Sequence, residues 1–127
     1  MGRRITIASG AISAEAELND SPTAAAIYEA LPIEATASRW GQEVYFTIPV
    51  SCGPAEDARE DVAVGELGYW PVGKAFCIFF GRTPASGPDG RPRAASPVNP
   101  IGRVLGDATA FRAVRDGQQV RLSRPGG

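Results

Sequence analysis

Histidine is absent from the 127 residues, and with it go Ser-His-Asp and Cys-His nucleophile activation, histidine acid–base work and every histidine-ligated metal site. Cysteine is scarce. Cys52 and Cys77 form no CxxC and no zinc-type spacing, and read as two free thiols of a reducing compartment. Lysine is reduced to Lys74, so twelve of the thirteen basic residues are arginine. No run approaches the roughly 18 consecutive apolar residues of a membrane span. Residues 1–10 lack the apolar core of a signal peptide, so the expected compartment is the cytoplasm, without a membrane partner. There is no internal repeat, no Gly-rich phosphate fingerprint and no nucleophile elbow, and no cofactor or metal is expected.

What is present suits one compact domain over residues 1–127, with a frayed tail from about residue 123. Hydrophobic residues make up 43% of the chain, aromatics 8% and charged residues 21%, far from the disordered regime and enough for a core without disulfides. The charge is unevenly placed. Residues 1–81 hold five basic residues against eleven acids, a net of −6, and residues 82–127 hold eight arginines against three acids, a net of +5. Those arginines are scattered through strands and loops without a basic helix or interleaved aromatics, so no nucleic-acid partner is expected.

Alternation dominates the pattern. Ile5 and Ile7, then Ile12, Ala14, Ala16 and Leu18, read as a half-buried hairpin around Ser9-Gly10, which places Glu15 and Glu17 on a solvated outer face rather than in a catalytic pair. Ser21 caps a helix that Pro22 opens, with Ala24, Ile27 and Leu31 on one stripe, and Pro32 stops it. Strands follow at 33–37 and 44–48, separated by a turn at Gly41-Gln42. Residues 51–61 are acidic and turn-rich and lack the closing glutamate of an EF-hand, so they read as a solvated loop. Residues 75–80 are apolar on both faces, the pattern of a strand that meets the core on one side and a groove or second layer on the other. The five prolines of residues 82–100 predict a long structureless stretch, functional or mobile. Strands then resume at 101–105 and 119–122, around a short helix or turn at 108–114. About eight short strands with one helix favour a closed barrel, which leaves no exposed edges.

The segment Gly73-Lys74-Ala75-Phe76-Cys77-Ile78-Phe79-Phe80-Gly81-Arg82-Thr83-Pro84 resembles the cyclophilin strand Gly-Ser-Gln-Phe-Phe-Ile, with the Thr-Pro that closes it. Ser21-Pro22-Thr23-Ala24-Ala25-Ala26-Ile27 is similar to the cyclophilin helix Val-Pro-Lys-Thr-Ala-Glu-Asn-Phe, and Ile101-Gly102-Arg103-Val104 to Phe-Gly-Lys-Val. Leu-Pro-Ile-Glu-Ala at 31–35, Tyr-Phe-Thr-Ile-Pro at 45–49, Tyr-Trp-Pro at 69–71 and Ser-Pro-Val-Asn at 96–99 look like a small prokaryotic branch of cyclophilin-like proteins without an assigned activity. The resemblance spans residues 3 to about 122 and implies a mainly β, closed eight-stranded cyclophilin-like barrel with one main helix.

Cyclophilins turn a proline peptide bond against a barrier of roughly 18–20 kcal/mol, using a groove arginine, a glutamine and aromatics. On the family pattern the arginine falls on Phe46, the glutamine on Ala75, the phenylalanine on Cys77 and the pocket histidine near Val98. None of the key residues is kept. The resemblance therefore implies a groove lined by Phe46, Ala75 and Cys77, with Tyr69, Trp70 and Val98 at its rims, although Phe46, Tyr69 and Trp70 serve equally as core residues. Lys74 precedes the key strand and Arg39 ends another. Lys74 can meet an anionic ligand or lie exposed in a turn, and Arg39 can stack on Trp40 or put its guanidinium at the groove mouth. The expected function is a non-catalytic binding module for a small molecule or extended peptide. The alternative is a diverged peptidyl-prolyl isomerase in which Arg39, Arg82 or Lys74 replaces the missing arginine. A third reading is a structural partner in a homo-oligomer.

Overall fold

The computed structural model describes residues 2–126. Chain order runs β1 (Arg3–Ser9), β2 (Ile12–Leu18), α1 (Pro22–Ala30), β3 (Ile33–Thr36), β4 (Ser38–Arg39), β5 (Glu43–Thr47), β6 (Arg59–Asp61), β7 (Glu66–Trp70), β8 (Ala75–Phe79), β9 (Arg93–Val104), a 3-10 turn (Ala108–Ala113) and β10 (Gln119–Ser123). The hairpin and helix form where the alternation and the caps place them. Ser9 faces Ile12 across the first turn, where Gly10 takes a positive φ of 59°. The Ser21 hydroxyl accepts from the Ala24 amide at 3.2 Å, with Pro22 in the first helical turn. Among the described residues no helix is long and apolar enough to cross a membrane.

The protein is mainly β, and its ladders are all antiparallel. The strands run in the order β3-β10-β1-β2-β9-β7-β8-β5-β4, with β6 added to β9. Among the described residues hydrogen bonds do not close this sheet, so the closed eight-stranded barrel expected from strand counting is not what the ladders describe. The end strands β3 and β4 are instead successive parts of one extended segment. β3 pairs with β10, Ala37 bonds residues 117 and 118 at 2.8 Å each, and β4 pairs with β5.

Side chains on the two faces of the sheet build two apolar clusters. The larger holds Ile5, Ile7, Leu18, Ile27, Phe46, Phe76, Ile78, Phe111 and Leu122, with Phe46 and Phe76 stacked at 5.3 Å between centroids. The smaller, on the opposite face, holds Val62, Ala75, Cys77, Phe79, Ala94 and Val98. β8 contributes to both and is buried at every position, as its two-sided apolar run predicts.

Two expectations about loops give way. The proline-rich stretch is structureless only to residue 92, because β9 begins at Arg93 and contains both Pro97 and Pro100. Its partner changes from β6 to β7 between Val98 and Asn99, and proline, which has no N–H to give a ladder, is tolerated at such an irregularity. The remaining turn is pinned by the buried Thr83, whose hydroxyl donates to the Arg93 carbonyl, and by Ser86, which donates to the Arg91 carbonyl at 2.6 Å. Residues 51–61 are also more than a solvated loop. They contain β6 and are tied down by two buried side chains. The Tyr69 hydroxyl donates to the Val50 carbonyl at 2.5 Å and accepts from the Cys52 amide at 3.2 Å. Asn99 accepts from the Ala55 amide at 2.8 Å and donates to the Gly53 carbonyl at 3.0 Å and to Thr23 at 3.1 Å.

The tail is held further than expected. Ser123 belongs to β10, and Arg124 sits 4.6 Å over the Tyr28 ring, while Gly127 lies outside the described residues. The charge asymmetry of the sequence also disappears in space. C-terminal arginines face N-terminal acids across neighbouring strands, Arg93 with Glu60 at 2.8 Å, Arg121 with Glu34 at 3.0 Å and Arg103 with Glu17 at 3.5 Å. These pairs are partly exposed and add little stability.

Candidate functional site

Strand alternation decides which side chains reach the outer face of β5, β8, β7 and β9. Tyr45 pairs with Cys77 and Phe46 with Phe76. Val44, Phe46 and Ile48 therefore point into the larger core, and Glu43 and Tyr45 share the other face with Cys77. Across β7, Trp70 lies beside Ala75, and Gly68 lies beside Cys77. A Cβ at Gly68 would come within 2.6 Å of the Val98 side chain, so the missing side chain lets Val98 settle onto the sheet.

These positions enclose a pocket of about 150 Å³. Cys77 and Val98 lie at the sheet, Glu43 and Tyr45 come from β5, and Trp40 and Trp70 add aromatic walls. The remaining wall is Ala94, Ala95 and Ser96 of β9. Part of the proline-rich segment thus borders the pocket as a hydrogen-bonded strand. A cavity of about this volume holds a benzene-sized molecule.

Glu43 is the one buried carboxyl side chain among the described residues, only 6% exposed. Burial pushes its carboxyl up from 4.5 to about 7, against a smaller downward pull from the Cys77 thiol that bonds to it. No ion pair reaches it among the described residues. The same burial, with the neighbouring carboxylate, drives the Cys77 thiol well above its ordinary value. Cys77 also lies 3.8 Å from the Ala75 carbonyl and stays a protonated, inert thiol. The Trp70 indole Nε1 is buried without a hydrogen-bond partner, the one such side-chain atom among the described residues, and an orphan N–H of this kind costs about 1–3 kcal/mol. The wall of the pocket is apolar, acidic and not fully satisfied.

A family model described as cyclophilin-like matches residues 3–123. The chain belongs to the cyclophilin-like family. The solution structure of a hypothetical protein from Archaeoglobus fulgidus is similar, with 40% identity and a TM-score of 0.82 over 97% of this chain and 95% of the other. No curated protein matches.

Of the groove positions that the cyclophilin pattern implies, Cys77, Val98 and Trp70 meet at the pocket, and Ala75 lies on the same face beside Trp70. Phe46 and Tyr69 do not. Both are fully buried on the inner face, Phe46 stacked on Phe76 and Tyr69 reaching through to hold residues 50 and 52. Tyr45, the neighbour of Phe46 on the opposite face of β5, lines the pocket instead. Arg39 neither stacks on Trp40 nor enters the mouth. Its guanidinium lies 5.0 Å over the Phe80 ring and donates to the carbonyls of Gly41, Arg112 and Val114. Lys74 is exposed in the β7–β8 turn, and Arg82 donates to the Gly87 carbonyl at 3.2 Å. Six pocket residues lie outside the expected groove positions: Trp40, Glu43, Tyr45, Ala94, Ala95 and Ser96. For Glu43 the available signal is its alternation with Val44 and Phe46, which places it on the Tyr45 face.

Proposed function

We propose that this cyclophilin-like chain is a single-domain, non-catalytic binding module whose pocket between β5, β8, β7 and β9 takes a benzene-sized group of a small molecule. The observation that carries the reading is the pocket itself. Its volume of about 150 Å³ is bordered by three aromatic side chains and a buried carboxyl, and apolar walls with a few polar groups are how small-molecule sites are built. Residues at family groove positions, Cys77 and Val98, lie in it. No Arg or Lys stands among its described lining residues, and Cys77 is protonated and unreactive. The missing cation weighs against the isomerase alternative, which needs a cationic donor to the proline amide.

The chain's only two tryptophans, Trp40 and Trp70, both border the pocket, so occupancy has a built-in reporter. Titration with benzene-sized compounds is expected to give a saturable change in tryptophan emission, abolished by filling the pocket with Ala94→Leu. Emission that never responds, or responds equally in Ala94→Leu, overturns the reading, as does acceleration of Xaa-Pro isomerisation by the wild type.

A further inference from the structure

We infer that the group this pocket receives is a small organic ammonium cation, held between the side chains of Trp40, Tyr45 and Trp70 and the carboxylate of Glu43. The inference rests on the binding reading above and names its ligand class. Every other glutamate that packs against this sheet with substantial burial has a partner: Glu66 is paired with Arg59, and Glu60 with Arg93. The buried Asn99 and Thr83 are satisfied within the chain, Asn99 by three hydrogen bonds and Thr83 by the Arg93 carbonyl. Among the described residues Glu43 alone is a buried acid without a cation, and it opens on a pocket rather than on packed protein. A buried carboxylate is costly unless it is paired, and the missing partner is a positive charge of ligand size.

The other walls select the kind of cation. Aromatic rings attract ammonium groups through the negative faces of their π-systems, and they prefer cations with diffuse, weakly hydrated charge. Ala94, Ala95, Val98 and Cys77 add apolar lining, and Ser96 a hydroxyl-bearing one. A bare metal ion would need several oxygen ligands, and no group of three acids or cysteines gathers among the described residues. Anions are disfavoured by Glu43 and by the lack of any lining Arg or Lys. A methylated ammonium head fits the volume.

Protons follow from the same arrangement. The titratable groups on the pocket wall are Glu43 and Tyr45 of β5 and Cys77 of β8, whereas β7 contributes Trp70 and β9 contributes Ala94, Ala95, Ser96 and Val98. A cation stabilises the ionised carboxyl, so binding at neutral pH releases a proton from Glu43 and weakens as the pH falls.

The test is calorimetric titration of the full chain with choline and with its uncharged carbon isostere, 3,3-dimethyl-1-butanol. At pH 8 choline is expected to bind about tenfold or more tightly than the isostere. At pH 5.5 that advantage is expected to shrink by about tenfold or more as Glu43 holds its proton. Glu43→Gln is expected to abolish both the advantage and its pH dependence while leaving isostere binding in place, which shows that the pocket remains folded. Equal binding of choline and isostere by the wild type overturns the cation reading and leaves the binding module standing. Binding of neither overturns both. The same cation can be free or carried on a protein, so a trimethyllysine peptide is titrated alongside. Tighter binding than choline supports a protein-borne cation, and weaker binding supports a free one.

Discussion

Replacing Glu43 by glutamine tests the burial of the carboxyl without any ligand. The carboxyl ionises near 4.5 in the unfolded chain and at about 7 in the folded one, so the folded state holds the proton more tightly. Each unit of difference corresponds to about 1.4 kcal/mol, and the whole shift to about 3 kcal/mol. The sign follows from linkage. Below pH 4.5 the group is protonated in both states and the full stability is present. As the pH rises the unfolded chain ionises first, stability falls, and above pH 7 the folded protein carries the buried charge and the loss levels off. Glutamine cannot ionise, and the other carboxylates contribute alike to both proteins. Between pH 5 and pH 8 the wild type is expected to lose about 2–3 kcal/mol relative to Glu43→Gln. Urea unfolding of both proteins at pH 5, 6, 7 and 8, followed by far-ultraviolet circular dichroism, reads this directly. A stability difference that stays constant across that range would refute the burial argument.

Three further substitutions probe the frame behind the pocket. Tyr69→Phe leaves the Val50 carbonyl and the Cys52 amide without their partner and is expected to cost about 1–3 kcal/mol in urea titrations; an unchanged midpoint contradicts the anchoring role. Asn99→Ala removes three hydrogen bonds at once and is expected to cost about 2–4 kcal/mol, with new protease cleavage confined to residues 51–58. Cleavage elsewhere, or none, argues against that tether. Phe46→Arg places a charge inside the larger core and is expected to cost more than about 4 kcal/mol. A stable, folded variant would instead put residue 46 on the outer face.

Local signals gave their elements away where one residue type has one physical use. Ser21 and Pro22 mark the helix start because a hydroxyl cap and a proline in the first turn serve nothing else there. The apolar run at 75–80 identifies the two-sided strand because both faces are covered. Proline density misled, since it reads as loop, whereas Pro97 and Pro100 sit where β9 exchanges partners and the absent N–H is not missed. Register was the weakest reading. Phe46 and Tyr45 are both aromatic, and only the pairing with β8 reveals which one turns outward. The path of the sheet's two end strands was equally out of reach, because no residue near Ala37 signals that one segment leaves β10 and joins β5. Arg39 looked like a groove cation because a guanidinium near a tryptophan suggests stacking. Its use by the Arg112 and Val114 carbonyls is a tertiary fact, set by residues more than seventy positions away.

Whether the pocket is the site of binding is most directly tested by titrating the ¹⁵N-labelled chain at pH 8 with choline and with its carbon isostere while recording amide and indole cross-peaks. The account predicts that one or both ligands move the indole signals of Trp40 and Trp70 and the amides of Tyr45, Cys77, Ser96 and Val98, while Ile5 and Leu122 in the opposite core stay in place. Shifts centred away from this face, or none up to the solubility of either compound, would contradict it.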